Sequence, residues 1–590
     1  MIAALLALLI ASPDAWARKV PVELAAPSPV TPAPIGAPKP HPDAPAWERA
    51  AHAEMLRSIQ ALRLPDAPPP YLYAYDVLDG SITEAFASDG ALVYAQAEPY
   101  RNLRAEVRVG DPKVDSSNFM AFGEPDGVVS RVLPQTDDVL ALRREIWLAT
   151  DSAYKAAVQQ FSRKMAARQD DPTPHPPDRS PSAPTRAAPV PPTPGSAADV
   201  LAGLVSRLSA VASEDPRLEV AEAIARDWQG RRMVLTSEGT NLHMATGYVV
   251  LRVEGTARLA DGSVLTDARA WVARTVGQLP DIAEMERETR EMAEWLGALT
   301  TAPVEDDYLG PVLFEPAAAT ELFSQLLPSE LVGTPPVEED TDSAFRMSRS
   351  PIARIGRRLL PLGWSVVDDA PGHAQALGAY AWDHEGVGPR TVELVRDGVV
   401  RDVLMSRIPS KDRGESTGHG RAIGGERRIA IPAVVVVTPT RVSPMRRLER
   451  MGLRLAAQTG RDYVLVVRRL TPPALAQSQI TFSGEGPPAG LTPPYEVYRL
   501  HRDGRRVPVR SLAFSGVDRR VLRDVAAAGP GEGFVDLLDG APGTGRWHIG
   551  PTGGIPVTWS TPSVLITEME LVGNPGGEPR VIPPVGAPQP

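Results

Sequence analysis

Apolar residues recur along this chain with two periods, helical and strand-like, that follow one another without a regular rhythm. Met55, Ile59 and Leu62 fall on one face and predict a helix that opens near Trp47. Strand-like runs over 71–110 are broken by Asp79-Gly80 and Asp89-Gly90, each read as a hairpin turn, because both turn positions must tolerate positive φ. A long amphipathic stretch over 136–169 follows, with Thr136 as its expected N-cap. Helical spacing returns at 198–213 and 279–299, on either side of a meander over 231–275 that turns at Asp261-Gly262. Beyond residue 390 the pattern is mostly strands, with turns at Asp397-Gly398 and Asp503-Gly504. Helices and hairpins interleaved in this way predict an α+β fold rather than a doubly wound parallel sheet.

Two proline tracts interrupt the pattern. Residues 18–46 read as a disordered tether and 171–197 as a surface insert, since neither composition supports a packed element. The expected plan is a signal peptide at 1–17, the tether, a first domain at 47–275 carrying the insert, a second domain at 276–575, and a flexible tail at 576–590. The signal peptide rests on the apolar run Ile2–Ile10 and the small-residue end Ala15-Trp16-Ala17, and it places the protein in the periplasm or outside the cell. No other apolar run approaches a membrane span in length.

Composition narrows the chemistry. The 590 residues carry 62 Lys and Arg against 72 Asp and Glu, a net charge of −10, which argues against nucleic acid as the main partner. Cysteine is absent, so disulfides, thiolate nucleophiles and thiolate metal ligands are all excluded. Phosphate-binding glycine loops and H-E-x-x-H are missing as well. Of the nine histidines, His41 and His175 lie in the proline tracts. Two polar clusters remain, Asp383-His384-Glu385-Gly386 and Ser416-Thr417-Gly418-His419-Gly420. Each reads either as a loop-built acid, base or ligand site or as turn chemistry.

In order and spacing, 346–372, 378–407 and 415–422 resemble the TldD/PmbA family of metallopeptidase-related proteins, once called modulators of DNA gyrase. Val234–Gly239 (VLTSEG) resembles that family's SEG element, and 308–327 its central strand and helix; the likeness runs from about residue 70 to 575. It implies a two-domain TldD/PmbA-like architecture. In the family's catalytic branch the central helix carries H-E-x-x-x-H and a later cysteine completes a zinc site. Here those positions are Glu315, Pro316 and Thr320. A catalytic zinc needs about three protein ligands, so no catalytic residue, metal or cofactor is assigned. The chain resembles the PmbA-type branch, which lacks the motif and pairs with a catalytic partner.

The resemblance implies a non-catalytic subunit that assists proteolysis of unfolded peptide, with a TldD-like partner or further copies of itself. It also implies a peptide chamber whose matching positions are Asp383, Glu385, Thr417, His419 and Arg421. Two alternatives stay open. One is a metallopeptidase active by itself, with zinc on unorthodox ligands. The other is an envelope peptide-binding or scaffold protein. On the central helix, Glu315 and Glu321 lie about 240° apart, which predicts one carboxylate at the helix terminus and one in solvent.

Overall fold

The computed structural model describes residues 37–120, 127–169, 174–339, 355–422, 427–471, 491–539 and 554–573. The expected signal peptide, most of the tether, the start of the insert and the tail at 576–590 lie outside these residues, as does part of the motif at 346–372.

The first half is one antiparallel sheet. Strands β1 (Pro70–Ser88), β2 (Ala91–Val109), β4 (Val128–Val132), β5 (Leu218–Thr236), β6 (Asn241–Arg258) and β7 (Val264–Ala273) pair in the order β4-β2-β1-β5-β6-β7. The short strand β3 (Phe119–Met120) stands apart and pairs with 338–339. Helices α1 (Ala46–Ala61) and α2 (Val139–Gln169) cover one end of the sheet. They bury Trp47, Met55, Ile146 and Tyr154 against Tyr75, Leu103 and Val107. Helices α3 (Ala198–Ala212) and α4 (Ile282–Leu299) cover the other end and bury Leu201, Val205, Leu208 and Met292 against Ala223, Ala225 and Leu251.

Asp89-Gly90 turns as expected, with φ of 48° and 83°. Asp79-Gly80 does not: β1 runs straight through it. Gly80 stands opposite Gly230 on β5, and a Cβ on it would come within 2.1 Å of the Gln229 carbonyl oxygen. The glycine there permits close approach of two strands rather than a turn. Asp79 meanwhile pairs with Arg101 at 2.7 Å and Arg231 at 3.0 Å, and both guanidiniums lie over the Trp47 ring. The start of α2 also differs. Asp138, not Thr136, accepts the first free amides, from Leu140 at 2.9 Å and Ala141 at 3.1 Å.

The second half packs two sheets. One is centred on β8 (Tyr308–Phe314), which runs parallel to Tyr463–Leu470 and antiparallel to Val564–Gly573. The other contains Ser365–Asp368, Val392–Arg396, Val434–Thr438 and Ile555–Ser560. Their facing sides share the largest apolar core, with Phe314, Phe323, Trp364 and Trp559 inside it. Strand β8 is buried on both faces: Val312 and Phe314 enter that core, and Leu313 enters a smaller one beneath Leu448 and Ala456.

The proline insert differs from a surface loop. Asp178, Arg179 and Ser180 are buried, and Thr185 to Ala187 bond to both sides of Asn241 at the start of β6. The segment is a strap pulled onto the sheet.

Candidate functional site

The junction after β8 follows from local chemistry. The apolar strand ends at Phe314, Glu315 takes an extended conformation (φ −67°, ψ 164°), and Pro316 starts helix α5 (Pro316–Leu326) at its first position. Ala318, Ala319, Leu322 and Phe323 then bury one face of α5 in the main core. Glu315 accepts from the Tyr498 hydroxyl at 2.5 Å and lies 3.4 Å from Arg468 and 3.6 Å from Arg506. Thr320 is buried, with its hydroxyl 2.8 Å from that of Thr561.

Glu321 is not the solvated carboxylate expected from its spacing. It accepts from the Leu470 amide at 2.6 Å and lies 3.7 Å from Arg469. Burial pushes it up to about 7, against the pull of Arg469.

Zinc does not fit these residues. The three motif positions supply one carboxylate, one proline and one hydroxyl, and the carboxylate is already engaged by a phenol and two guanidiniums. Among the described residues no three His, Asp or Glu side chains converge as a metal-binding group.

Four of the five positions carried over as chamber-lining sit within a wall. Asp383 is fully buried and accepts three amides, from Glu385 and Val387 at 2.9 Å and from Gly420 at 2.8 Å. Burial and the neighbouring Glu385 push it up to about 7. Glu385 accepts from the Arg407 amide at 2.6 Å. The Thr417 hydroxyl accepts from the Met405 amide at 2.8 Å and lies 2.9 Å from His419 Nδ1. His419 Nε2 lies 3.4 Å from Asp368, which in turn accepts the amides of Ala433 and Val434. These are polar groups that hold loops in place.

Arg421 is different, because it lines a cavity of about 1010 Å³ between the sheet and the loops of the second half. One wall is the start of β6. Strand β7 pairs with β6 only from Val249 onward, and the strap meets it at Asn241. All six residues from His243 to Tyr248 line the cavity. An antiparallel strand paired on one side leaves alternate N–H and C=O groups pointing the other way, so among the described residues this wall is an open strand edge. The opposite wall comes from 370–389, 421–422 and 554–556. Tyr100, Trp228, Tyr248, Tyr380 and Trp382 supply apolar surface. His384 completes the lining and accepts the Ala422 amide on Nδ1 at 3.1 Å. Burial and the nearby Arg232, Arg428, Arg421 and Arg104 hold its imidazole well below the usual range.

A buried clamp ties the strap, the sheet and the second half together, and sequence reasoning missed most of it. Arg407 donates to the Ser180 carbonyl at 3.0 and 2.8 Å and to both oxygens of Glu238 at 2.6 and 2.9 Å. Arg179 joins Glu238 at 3.0 Å. Burial alone would raise the Glu238 carboxyl, but Arg179 and Arg407 hold it well below the ordinary range. Glu238 is the acidic residue of the SEG element, the one trace of the clamp in the sequence pattern.

Residues 307–573 match the family model described as the PmbA/TldA metallopeptidase C-terminal domain. The metalloprotease slr0863 of Synechocystis sp. is 29% identical over 200 residues, 33% of this chain and 40% of that protein. Metalloprotease PmbA of Escherichia coli O157:H7 is 27% identical over 114 residues, 19% of this chain and 23% of that protein. The matched stretches thus span less than half the length of these curated relatives. In fold, the chain is similar to TldE from Thermococcus kodakarensis, with a TM-score of 0.54 and 15% identity, covering 85% of this chain and 97% of that one. A Thermotoga maritima protein described as a modulator of a DNA gyrase gives the same TM-score of 0.54 at 14% identity, covering 85% and 96%. Motif order, family model, curated relatives and fold point the same way: residues 307–573 match the C-terminal domain of the TldD/PmbA family, and the chain as a whole is similar to proteins of that family.

Proposed function

We propose that this chain is a non-catalytic, PmbA-type subunit that receives extended, unfolded peptide for a TldD-like metallopeptidase partner, outside the cytoplasm. The observation that carries this reading is the state of the motif positions. Glu315 is bound by Tyr498 and flanked by Arg468 and Arg506, Pro316 stands where the general base would be, and Thr320 is paired with Thr561. Guanidiniums beside the sole carboxylate repel a cation, and the sequence has no cysteine to complete a site. The open edge of β6 supports the peptide half of the proposal, because an extended chain binds such an edge through main-chain hydrogen bonds.

Reconstitution tests the reading. The purified chain, a homologous partner carrying H-E-x-x-x-H, and the mixture are assayed on an unfolded peptide with and without chelator. We expect chelator-sensitive cleavage in the mixture and none from this chain alone. Chelator-sensitive cleavage by the isolated chain would overturn the proposal.

A further inference from the structure

The charge of the cavity lining is one-sided. Arg226, Arg232, Arg274 and Arg421 line it, and among the described residues no Asp or Glu does. Two of the four arginines are already neutralised: Arg226 pairs with Glu84, and Arg232 lies 3.2 Å from Asp76. The other two have no carboxylate partner among the described residues. Arg274 donates to the Ala376 carbonyl at 3.0 Å. Arg421 donates to the carbonyls of Pro556 and Pro432 and lies over the Tyr380 ring at 4.7 Å. Only 3% of Arg421 is exposed, yet its Nε has no hydrogen-bond partner.

A buried guanidinium satisfied only by carbonyl dipoles keeps its full charge in a region of low dielectric. Carbonyls orient the fork but do not neutralise it. Behind the lining, Arg104, Arg108, Arg232 and Arg428 gather around Asp76 and Glu106, with Asp115 beside Arg108. Such a cavity disfavours a cationic guest and leaves a neutral one without compensation for the two arginines. An anion of planar, two-oxygen shape matches the guanidinium fork.

We propose that the cavity selects peptides by a carboxylate: an extended chain lies along the open edge of β6, and its carboxylate is taken by the two lining arginines that have no carboxylate partner among the described residues, Arg274 and Arg421. The carboxylate is either the chain's C-terminal one or that of an Asp or Glu side chain, and the chemistry at the guanidinium is the same. The aromatic residues Tyr100, Trp228 and Tyr248, which contact one another along the sheet wall, take the apolar side chains. This inference rests on the reading that the chain receives peptide and adds the class of peptide received.

The test is fluorescence anisotropy of the full chain with three short labelled peptides of otherwise uncharged sequence. One ends in a free acid, one is amidated, and one is amidated with an internal glutamate. The amidated peptide is expected to bind about tenfold more weakly than the better of the two carboxylate peptides, the loss typical of one charged hydrogen-bond partner. Which carboxylate peptide binds better identifies the source. Arg274→Gln reduces the discrimination to below about threefold, whereas Arg274→Lys restores part of it. Arg421→Gln does the same where circular dichroism shows a native spectrum; Arg274→Gln carries the test if it does not.

Equal binding of acid and amide, or no binding of either carboxylate peptide, overturns the inference. So does discrimination that survives Arg274→Gln in a folded chain. A chain that supports cleavage by the partner but binds acid and amide alike would refute this inference and leave the subunit reading standing.

Discussion

Single residues show where sequence reading reached and where it stopped. Asp89 and Gly90 needed positive φ, and the alternation on either side made that legible. Gly80 carried the same dipeptide signal for another reason, a backbone-to-backbone approach to Gly230, which only tertiary pairing reveals. Asp383 and His419 were visible as polar outliers in tight loops; that they bind amides and Asp368 inside a wall was not. Glu48 was not legible at all. It is fully buried on α1, with His243 at 3.4 Å and His52 at 3.7 Å. Burial raises this carboxyl, but the two imidazoles more than reverse that and hold it at about 2, against 4.5 for an ordinary glutamate. A depressed carboxyl contributes stability that is present above pH 4.5 and lost as the pH falls towards 2. That loss is worth about 3 kcal/mol. Urea unfolding between pH 5 and 2.5 is expected to show a smaller acid loss in Glu48→Gln than in the parent chain. Parallel losses in the two proteins would refute the assignment.

At the scale of elements, helical and strand periods located the helices and most strands, because each buries one face or alternates across a sheet. The strap escaped this reading. Proline-rich composition predicts a segment that makes no core of its own, and that is true of 174–197. Its order comes from elsewhere, from the Arg407 guanidinium on the Ser180 carbonyl and from Thr185 and Ala187 on Asn241. Arg407 is therefore the element-scale test. Arg407→Ala leaves Glu238 with Arg179 alone and strips the Ser180 carbonyl of its buried donor, a change expected to cost about 2–3 kcal/mol. Arg407→Lys keeps the charge but not the fork, and recovers only part. Limited proteolysis should cut the Ala variant within 181–190 well before the parent chain. Equal protection of the two, with a stability loss under about 1 kcal/mol, would show that the clamp does not hold the strap.

At the scale of the whole molecule, the cavity joins segments that are far apart in sequence: one wall from the sheet, the other from 370–389, 421–422 and 554–556. No local pattern marks such a site, so the sequence pointed to neighbours of it, Asp383 and Glu385, and to one residue on its lining, Arg421. The central strand and helix were legible as elements, and so were the residue types at the motif positions, Glu315, Pro316 and Thr320, because they are written directly in the sequence. The guanidiniums that now surround Glu315 were not.

The most direct measurement is the metal content of the purified chain by elemental analysis, alone and after co-purification with a homologue that carries H-E-x-x-x-H. The account predicts no zinc above background in the chain alone and near-stoichiometric zinc in the complex. Near-stoichiometric zinc in the isolated chain would contradict it.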